Sequence, residues 1–364
     1  MKIIIDVMSG DNAPLELIRG ALQARRAFGE EMILVGDEQV IRTLADENGL
    51  HLDGVRVVHA PSVISMEEPA LSVVRDKKDS SMSVGLHMLA NGEGDAFVSA
   101  GNTGALIAGA TLIVHRIKGI QRAGIATVLP FTNPCLLMDS GANLEVTPAN
   151  LEQFAFMGSR YMEKVLGVKN PRVGLVNNGS EANKGRELEV DAYLQLSDAD
   201  VNFIGNVEGR DIPFGVCDVL VTDGFTGNIL LKYTEGMGRF LLGTMKDLLG
   251  TNILTRLSCL SMKGKLDHLK NAFDPSEYGG APLLGISKPV IKAHGASDDM
   301  AIKNAIRCAI DFYRSGINRE IAVFSLGHEA SMKQRAKARA RNERIREKAE
   351  RAARRREENE EPQA

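Results

Sequence analysis

Short apolar runs recur along the chain, spaced so that about one helix fits between each and the next. Ile3–Ile5, Met32–Val35, Val55–Val58, Ala96–Ser99, Cys135–Met138, Val173–Val176, Asn202–Ile204 and Val219–Thr222 read as strands with little polar interruption, the pattern of a strand covered on both faces. Between many of them lie amphipathic stretches that read as helices, among them Pro14–Phe28, Gln39–Asn48 and Leu151–Val165. Strands alternating with helices predict an α/β architecture with a largely parallel sheet. No short-period repeat is present, and no linker rich in Pro, Gly or Ser divides the middle of the chain. The expected organisation is one domain over 1–330 with an insertion at about 237–273. In that insertion Phe240, Leu241, Leu242, Leu248, Leu249, Ile253, Leu254 and Leu257 interleave with Lys246, Arg256, Lys263 and Lys265. A basic tail follows over 331–364. Across Lys333–Arg356 the one large apolar residue is Ile345. Such a run has no stripe to bury and predicts a mobile or solvated helix.

Polar residues fall where the predicted strands stop. Asp6-Val7-Met8-Ser9-Gly10-Asp11 follows the first run, and Ser99-Ala100-Gly101-Asn102-Thr103-Gly104 follows the fourth. Asp139-Ser140-Gly141-Ala142-Asn143, Asn177-Asn178-Gly179-Ser180-Glu181-Ala182-Asn183-Lys184-Gly185 and Thr222-Asp223-Gly224-Phe225-Thr226-Gly227-Asn228 follow later ones. A sixth, His294-Gly295-Ala296-Ser297, comes after the strand-like Val290-Ile291. In open α/β sheets, ligands bind outside the carboxyl ends of the strands. Glycine lets the backbone approach an anion, and a helix starting there offers free N–H groups. Lys184 lies in a glycine loop, to be read either as a solvated lysine or as one that an anionic ligand satisfies. Arg75, Lys77 and Lys78 form a basic run before Ser80, to be read either as a solvated surface or as a contact for phosphate or an acidic partner.

Composition narrows the chemistry. No GxGxxG fingerprint, GxxxxGK[ST] loop, GxSxG elbow or HExxH helix occurs, so neither a dinucleotide, a covalent serine nor a catalytic zinc is expected. The expected cofactor and metal are none. Cys135, Cys217, Cys259 and Cys308 are isolated in apolar surroundings and read as buried thiols of a reducing compartment. No apolar run reaches the ~18 residues of a spanning helix. No secretory leader pattern opens the sequence, so a cytoplasmic location is expected. The net charge of −3 is uneven: 331–364 carries 12 Lys/Arg against 7 Asp/Glu, or +5, leaving −8 on the remainder. No aromatic residues interleave with the basic tail, which disfavours nucleic acid as a partner.

At these loops the chain resembles the bacterial phosphate acyltransferase family (PlsX). The stretches are Asp6–Asp11, Arg75–Met82, Ser99–Ala105, Asn170–Gly174, Gly179–Gly185, Thr222–Asn228, Tyr278–Ala281 and Ile291–Gly295, in order over about 1–315. Ser9 stands where the family usually has Gly, and Glu145-Val146 where it has Asp and often Cys. The resemblance implies a Rossmann-like three-layer α/β/α sandwich, similar to phosphotransacetylases and isocitrate-type dehydrogenases. It implies conversion of long-chain acyl-acyl carrier protein and inorganic phosphate to acyl phosphate, feeding phosphatidic acid and phospholipid synthesis. It implies a homodimer with its site near the subunit interface. It also implies peripheral contact with an anionic membrane, beside a membrane glycerol-3-phosphate acyltransferase. The 237–273 insertion suits either a membrane or a dimer contact.

Phosphate is already a nucleophile at neutral pH, so the enzyme's expected task is to hold it and stabilise an oxyanion. Lys184 is expected to bind phosphate, and Asn228 to donate to phosphate or oxyanion. Ser99, Gly101, Asn102, Thr103 and Gly104, with Asn143 and Gly227, are expected to cradle the anion. Asp6, Asp223 or His294 is expected to shuttle a proton or orient neighbours. Arg75, Lys77 and Lys78 are expected to meet phosphate or the carrier protein.

Overall fold

The computed structural model describes residues 1–129, 131, 133–249 and 279–327, with 246–249 described as backbone only. The tail over 331–364 and the insertion beyond 249, with Cys259, lie outside the described residues.

The predicted strands form, but in two sheets. The first has seven strands: β1 (Lys2–Asp6), β2 (Glu31–Gly36), β3 (Arg56–His59), β4 (Ala96–Ser99), β5 (Gly124–Ile125), β11 (Ala281–Leu284) and β12 (Val290–Lys292). Their spatial order is β3-β2-β1-β4-β12-β11-β5. Six run in one direction, and β11 runs against both its neighbours. The second sheet has the order β6-β7-β10-β8-β9. It consists of β6 (Thr127–Leu129), β7 (Cys135–Met138), β8 (Arg172–Asn177), β9 (Asn202–Glu208) and β10 (Val219–Val221). All but β6 are parallel. Between β5 and β6 the chain passes from one sheet to the other through the single residue Ala126.

Burial follows the period of two of a pleated strand. In β1, Ile3 and Ile5 face one core and Ile4 the other. The core under Ile3 and Ile5 continues without a break to Leu136, Val173 and Val219 of the second sheet. A smaller cluster of Leu129, Cys135, Leu137, Val207, Ile212, Cys217 and Leu220 fills the second sheet's other face.

The helices start and stop where their sequences direct. These are α1 (Leu15–Phe28), α2 (Glu38–Glu47), α3 (Ser81–Ala90), α4 (Thr103–Gly109), α5 (Pro148–Lys164), α6 (Glu187–Ser197), α7 (Gly224–Leu249) and α8 (Asp299–Ser315). Asp37 caps α2 by accepting from the Gln39 and Val40 amides. Thr147 and Asn150 cap α5 reciprocally, with Pro148 in the first turn, as a capping box requires. Gly20 lets α1 and α8 approach closely, because a methyl there would lie 2.5 Å from the Asp299 carbonyl oxygen. Helix α7 shows no break at 237, so the start of the insertion continues one helix from Gly224. Among the described residues, no helix is long and apolar enough to cross a membrane.

Candidate active site

Parallel register sets three polar residues in a row. Asp6 pairs with Ser99, and Ser99 pairs with Lys292, so the carboxyl ends of β1, β4 and β12 present Asp6, Ser99 and Lys292 side by side. Asp6 is fully buried. It accepts from the Ser99 hydroxyl at 2.8 Å and from the Met8 amide at 3.3 Å. Burial pushes its carboxyl above the ordinary range, while the surrounding Ser81, Ser99 and Ser9 hydroxyls pull back. The Ser9 and Ser81 hydroxyls stand near it without closing a hydrogen bond. Ser99 also accepts from the Gly101 amide at 3.1 Å, turning the chain toward α4.

Three loops meet above this row. The Asp11 amide donates to the Gly295 carbonyl at 2.8 Å, and the Asn12 side chain donates to the Ala296 and Ser297 carbonyls. Gly10, at φ +125°, would place a Cβ 3.1 Å from both Ala100 Cβ and the Gly295 oxygen. Only glycine takes that backbone region readily. Asn102 is nearly buried. Its Oδ1 caps α4 by accepting from the Ala105 amide, and its Nδ2 donates at 3.0 Å to the carbonyls of Ser65, Met66 and Glu68. The side chain predicted to touch an anion therefore clamps the 65–68 loop over the helix start. Gly104 packs against Ala70 of the same segment, and Thr103 is exposed beside it.

The basic run lies on that segment. Lys77 donates to the Val63 carbonyl at 3.3 Å and pairs with Glu68 at 3.6 Å. Arg75 and Lys78 are exposed. His294 is exposed, and its Nδ1 accepts from the Ala296 amide at 3.1 Å. Partial burial first, then the Lys232 ammonium, holds its pKa below the usual histidine range.

The second sheet builds the facing wall. Asp139, at the end of β7, is fully buried. It accepts from the amides of Ile125, Gly141, Ala142 and Asn143, and from the Asn143 side chain at 2.9 Å. Asn143 also donates to the Ala123 carbonyl at 2.7 Å, so it ties the loop to the first sheet. The first turn of α7 presses on this knot. The Gly224 amide donates to the Asn143 carbonyl at 2.7 Å, and a Cβ on Gly227 would collide with the Asp139 carbonyl oxygen. Asp223 precedes α7 and accepts from the Thr226 amide at 2.7 Å and from Arg186 at 2.7 Å. Asn228 is exposed over Gly141, where an added methyl would sit 3.5 Å from the Asn228 Cβ. Its side chain has no hydrogen-bond partner among the described residues.

Lys184 is exposed at the end of the β8 loop, with its stem folded over Gly179. Among the described residues no carboxylate pairs with it. The Asn177 side chain holds its carbonyl at 3.0 Å. The loop reaches the α7 start through Arg186, which bridges Glu189 and Asp223.

Helix α7 joins the two walls. Asn228 and Lys232, four residues apart, share a face. Lys232 lies within electrostatic reach of both Lys292 and His294. The cleft is thus bounded by the carboxyl edges of both sheets and by α7. Through α7 the loops bearing Asp6, Ser99, Gly101 and His294, which Lys232 faces, are linked to those bearing Asn143, Asp223, Gly227 and Asn228, and the Lys184 loop is linked to them through Arg186. Arg75 and Lys78 remain on the outer rim of the 61–80 segment.

Three residues of this architecture were not singled out by sequence reasoning: Lys292, Asp139 and Arg186. For Lys292 the signal was present, a charge closing an apolar strand one residue after Val290-Ile291. A hollow of about 470 Å³ opens at the other end of the first sheet, lined by Lys2, Glu30, Glu31 and Asp95 among others. It lies at the amino ends of β1 and β2, away from the loops that follow the strands' carboxyl ends.

A family model described as "Fatty acid synthesis protein" matches residues 1–320. A phosphate acyltransferase from Thermoanaerobacter pseudethanolicus is 47% identical over 336 residues, covering 91% of this chain and 100% of that protein. One from Bacillus licheniformis is 45% identical, covering 89% of this chain and 97% of that protein. Among solved structures, a phosphotransacetylase from Streptococcus pyogenes aligns with a TM-score of 0.61 at 16% identity, covering 86% of this chain and 94% of that one. One from Staphylococcus aureus aligns with a TM-score of 0.53 at 15% identity, covering 87% of this chain and 94% of that one. These two likenesses speak to the fold alone.

Proposed function

The chain belongs to the fatty acid synthesis protein family and is a phosphate acyltransferase, and from that premise we propose that its donor is a long-chain acyl-acyl carrier protein and its acceptor inorganic phosphate. The products are acyl phosphate and free carrier protein, and the acyl phosphate feeds phosphatidic acid synthesis. The observation that carries this reading is the convergence of glycine loops from both sheets on one cleft, with Lys184 and Asn228 unpaired beside it among the described residues.

In this reading Lys184 holds the phosphate, and the Asn228 amide donates to phosphate or to the oxyanion that forms at the thioester carbon. The Gly101–Gly104 loop shapes the floor with Ser99, and Asn102 keeps that loop closed through its four hydrogen bonds. Asp223 and Gly227 place the first turn of α7 and hence Asn228. Asn143 holds the Asp139 loop under it. His294 or Asp6 passes a proton or orients neighbours. Arg75, Lys77 and Lys78 lie on the rim, where an acidic carrier protein would dock. Positioning alone supplies about 7–11 kcal/mol to such a step.

The protein works as a homodimer at an anionic membrane surface, beside the membrane enzyme that consumes acyl phosphate. Exposed Phe225, Ile229, Tyr233 and Phe240 along α7 offer an apolar face for one of these contacts.

The test is to incubate purified protein with palmitoyl-acyl carrier protein, with and without inorganic phosphate. Released carrier thiol and acyl phosphate, trapped as its hydroxamate, are measured together. Phosphate-dependent release with matching hydroxamate is expected. Release with acetyl-coenzyme A alone would move the assignment to a phosphotransacetylase.

A further inference from the structure

Lys292 ends β12, inside the first sheet, with β4 on one side and β11 on the other. An ammonium placed there loses part of its water shell and needs compensation. Its hydrogen bonds go to two backbone carbonyls, Ala100 and Ala293. An ammonium carries three N–H donors, so one remains for a ligand. The same loops hold one nearly buried hydroxyl without a partner, Ser297. Buried polar groups are ordinarily paired. A cation with a spare donor and a spare hydroxyl, on loops joined by the Asp11–Gly295 bond, make the floor of an anion site.

The charges facing Lys292 come from every side of the cleft. Lys232 approaches from α7, Asp6 from β1, Asp11 from the loop after it, and His294 from the loop after β12, with Glu235 of α7 facing His294. Burial, reinforced by Lys232 and opposed by Asp6 and Asp11, brings the ammonium down to about 8. Such a cation is the one group of the row that an incoming phosphate would satisfy electrostatically.

We propose that Lys292 is a catalytic residue of this enzyme, its free N–H holding a phosphate oxygen at the floor of the cleft while Lys184 holds the phosphate from the second-sheet side. This rests on the phosphate acyl transfer proposed above. In that step a phosphate oxygen bonds to the thioester carbon. The carbon–sulfur bond breaks with its electron pair going to sulfur, and the proton lost by the phosphate ends on the departing thiolate. Lys292 keeps its proton throughout and contributes charge.

The test uses Lys292→Met and Lys292→Arg in the full chain with inorganic phosphate as the varied substrate. Methionine fills the space of the lysine stem without a charge. Its urea midpoint is expected to equal or exceed that of the wild type, because replacing a desolvated charge by an apolar chain is often neutral or stabilising. Its kcat/KM for phosphate is expected to fall about 100-fold or more, with the KM for the acyl thioester unchanged. Wild-type kcat/KM for phosphate is expected to fall as pH rises through about 8, since the cation is lost there. Lys292→Arg removes that limb, because guanidinium stays charged. A Met variant within about threefold of wild type, a scatter too small for a lost charge contact, would overturn the proposal. So would a wild-type profile with no fall above that pH. Should the wild type form no acyl phosphate, the proposed function fails on its own. Calorimetric binding of inorganic phosphate to wild type and Met variant then still decides: weaker binding by the variant supports the role of Lys292, and equal binding refutes it.

Discussion

On the first-sheet wall of the cleft, Asp6 and Ser99 are buried and bonded to each other, and Asn102 spends its whole amide on backbone partners. On the second-sheet wall, Lys184 and Asn228 stand exposed with no side-chain partner among the described residues. Buried polar groups are worth keeping only when satisfied, so the first wall, Lys292 with its spare N–H apart, is committed before any ligand arrives. The second wall keeps its donors free. Removing Asp6, Ser99 or Asn102 from the first wall should therefore cost stability, whereas removing Lys292, Lys184 or Asn228 should cost turnover. The α7 start is where the two costs meet, because its glycines rest on the buried Asp139 knot while Asn228 projects from it.

Four outcomes break or sharpen this contrast. The largest effect is expected from Gly227→Ala. Its Cβ would collide with the Asp139 carbonyl oxygen, so α7 must shift, costing about 1–3 kcal/mol of stability and nearly all turnover. An unchanged urea midpoint with normal rates would show that α7 is not anchored there. Next come Lys184→Ala and Asn228→Ala. Each is expected to lower turnover about 100- to 1,000-fold, the usual cost of a lost oxyanion donor, at an unchanged melting temperature. Near-normal rates in both would remove the second wall from the chemistry.

Asp223→Ala takes away the α7 cap and one of the two acidic partners of Arg186. Denaturant titration is expected to show a loss of about 1 kcal/mol, the usual worth of a cap, together with a moderate drop in rate from the freed helix start. A rate drop without any stability loss would give Asp223 a direct chemical role instead. The smallest effect is expected from deleting 331–364. It should weaken binding to anionic vesicles, at about 1 kcal/mol per basic residue near the surface, and leave turnover on soluble substrate intact. Undiminished vesicle binding would assign membrane contact to the apolar face of α7 and the insertion.

The strands β1, β2, β4, β7, β8 and β10 were legible because each holds a nearly unbroken apolar run, which suits a sheet covered on both faces, and the edge strands β3 and β9 by the short apolar pairs Val57-Val58 and Phe203-Ile204. The strands β5, β6 and β11 were not. Gly124 opens β5, Thr127 opens β6 and Pro282 interrupts β11, so none reads as a continuous apolar run, and neighbouring strands rather than propensity hold them extended. For the same reason the division into two sheets was hidden: Ala126 alone separates β5 from β6, and nothing in its residue type marks a change of sheet. Among the glycines of the predicted loops, Gly101 and Gly227 stand where a Cβ would press on Ser9 and on the Asp139 carbonyl, a close approach that a glycine-rich stretch signals. Asn102 was found for an anion contact, yet its amide is consumed by the 65–68 loop, a partner more than thirty residues away in sequence.

What the sequence by itself determined is the alternation of strand and helix, the family, and the placement of polar loops after apolar strands, since burial and turn chemistry are local demands. Only the tertiary structure decided which loops share a cleft. Strand order and register set Asp6, Ser99 and Lys292 in one row from positions 6, 99 and 292, and the packing of α7 on the Asp139 knot carries Asn228 and Lys232 toward it. Those outcomes depend on the partner each strand selects, and that selection is a property of the assembled core.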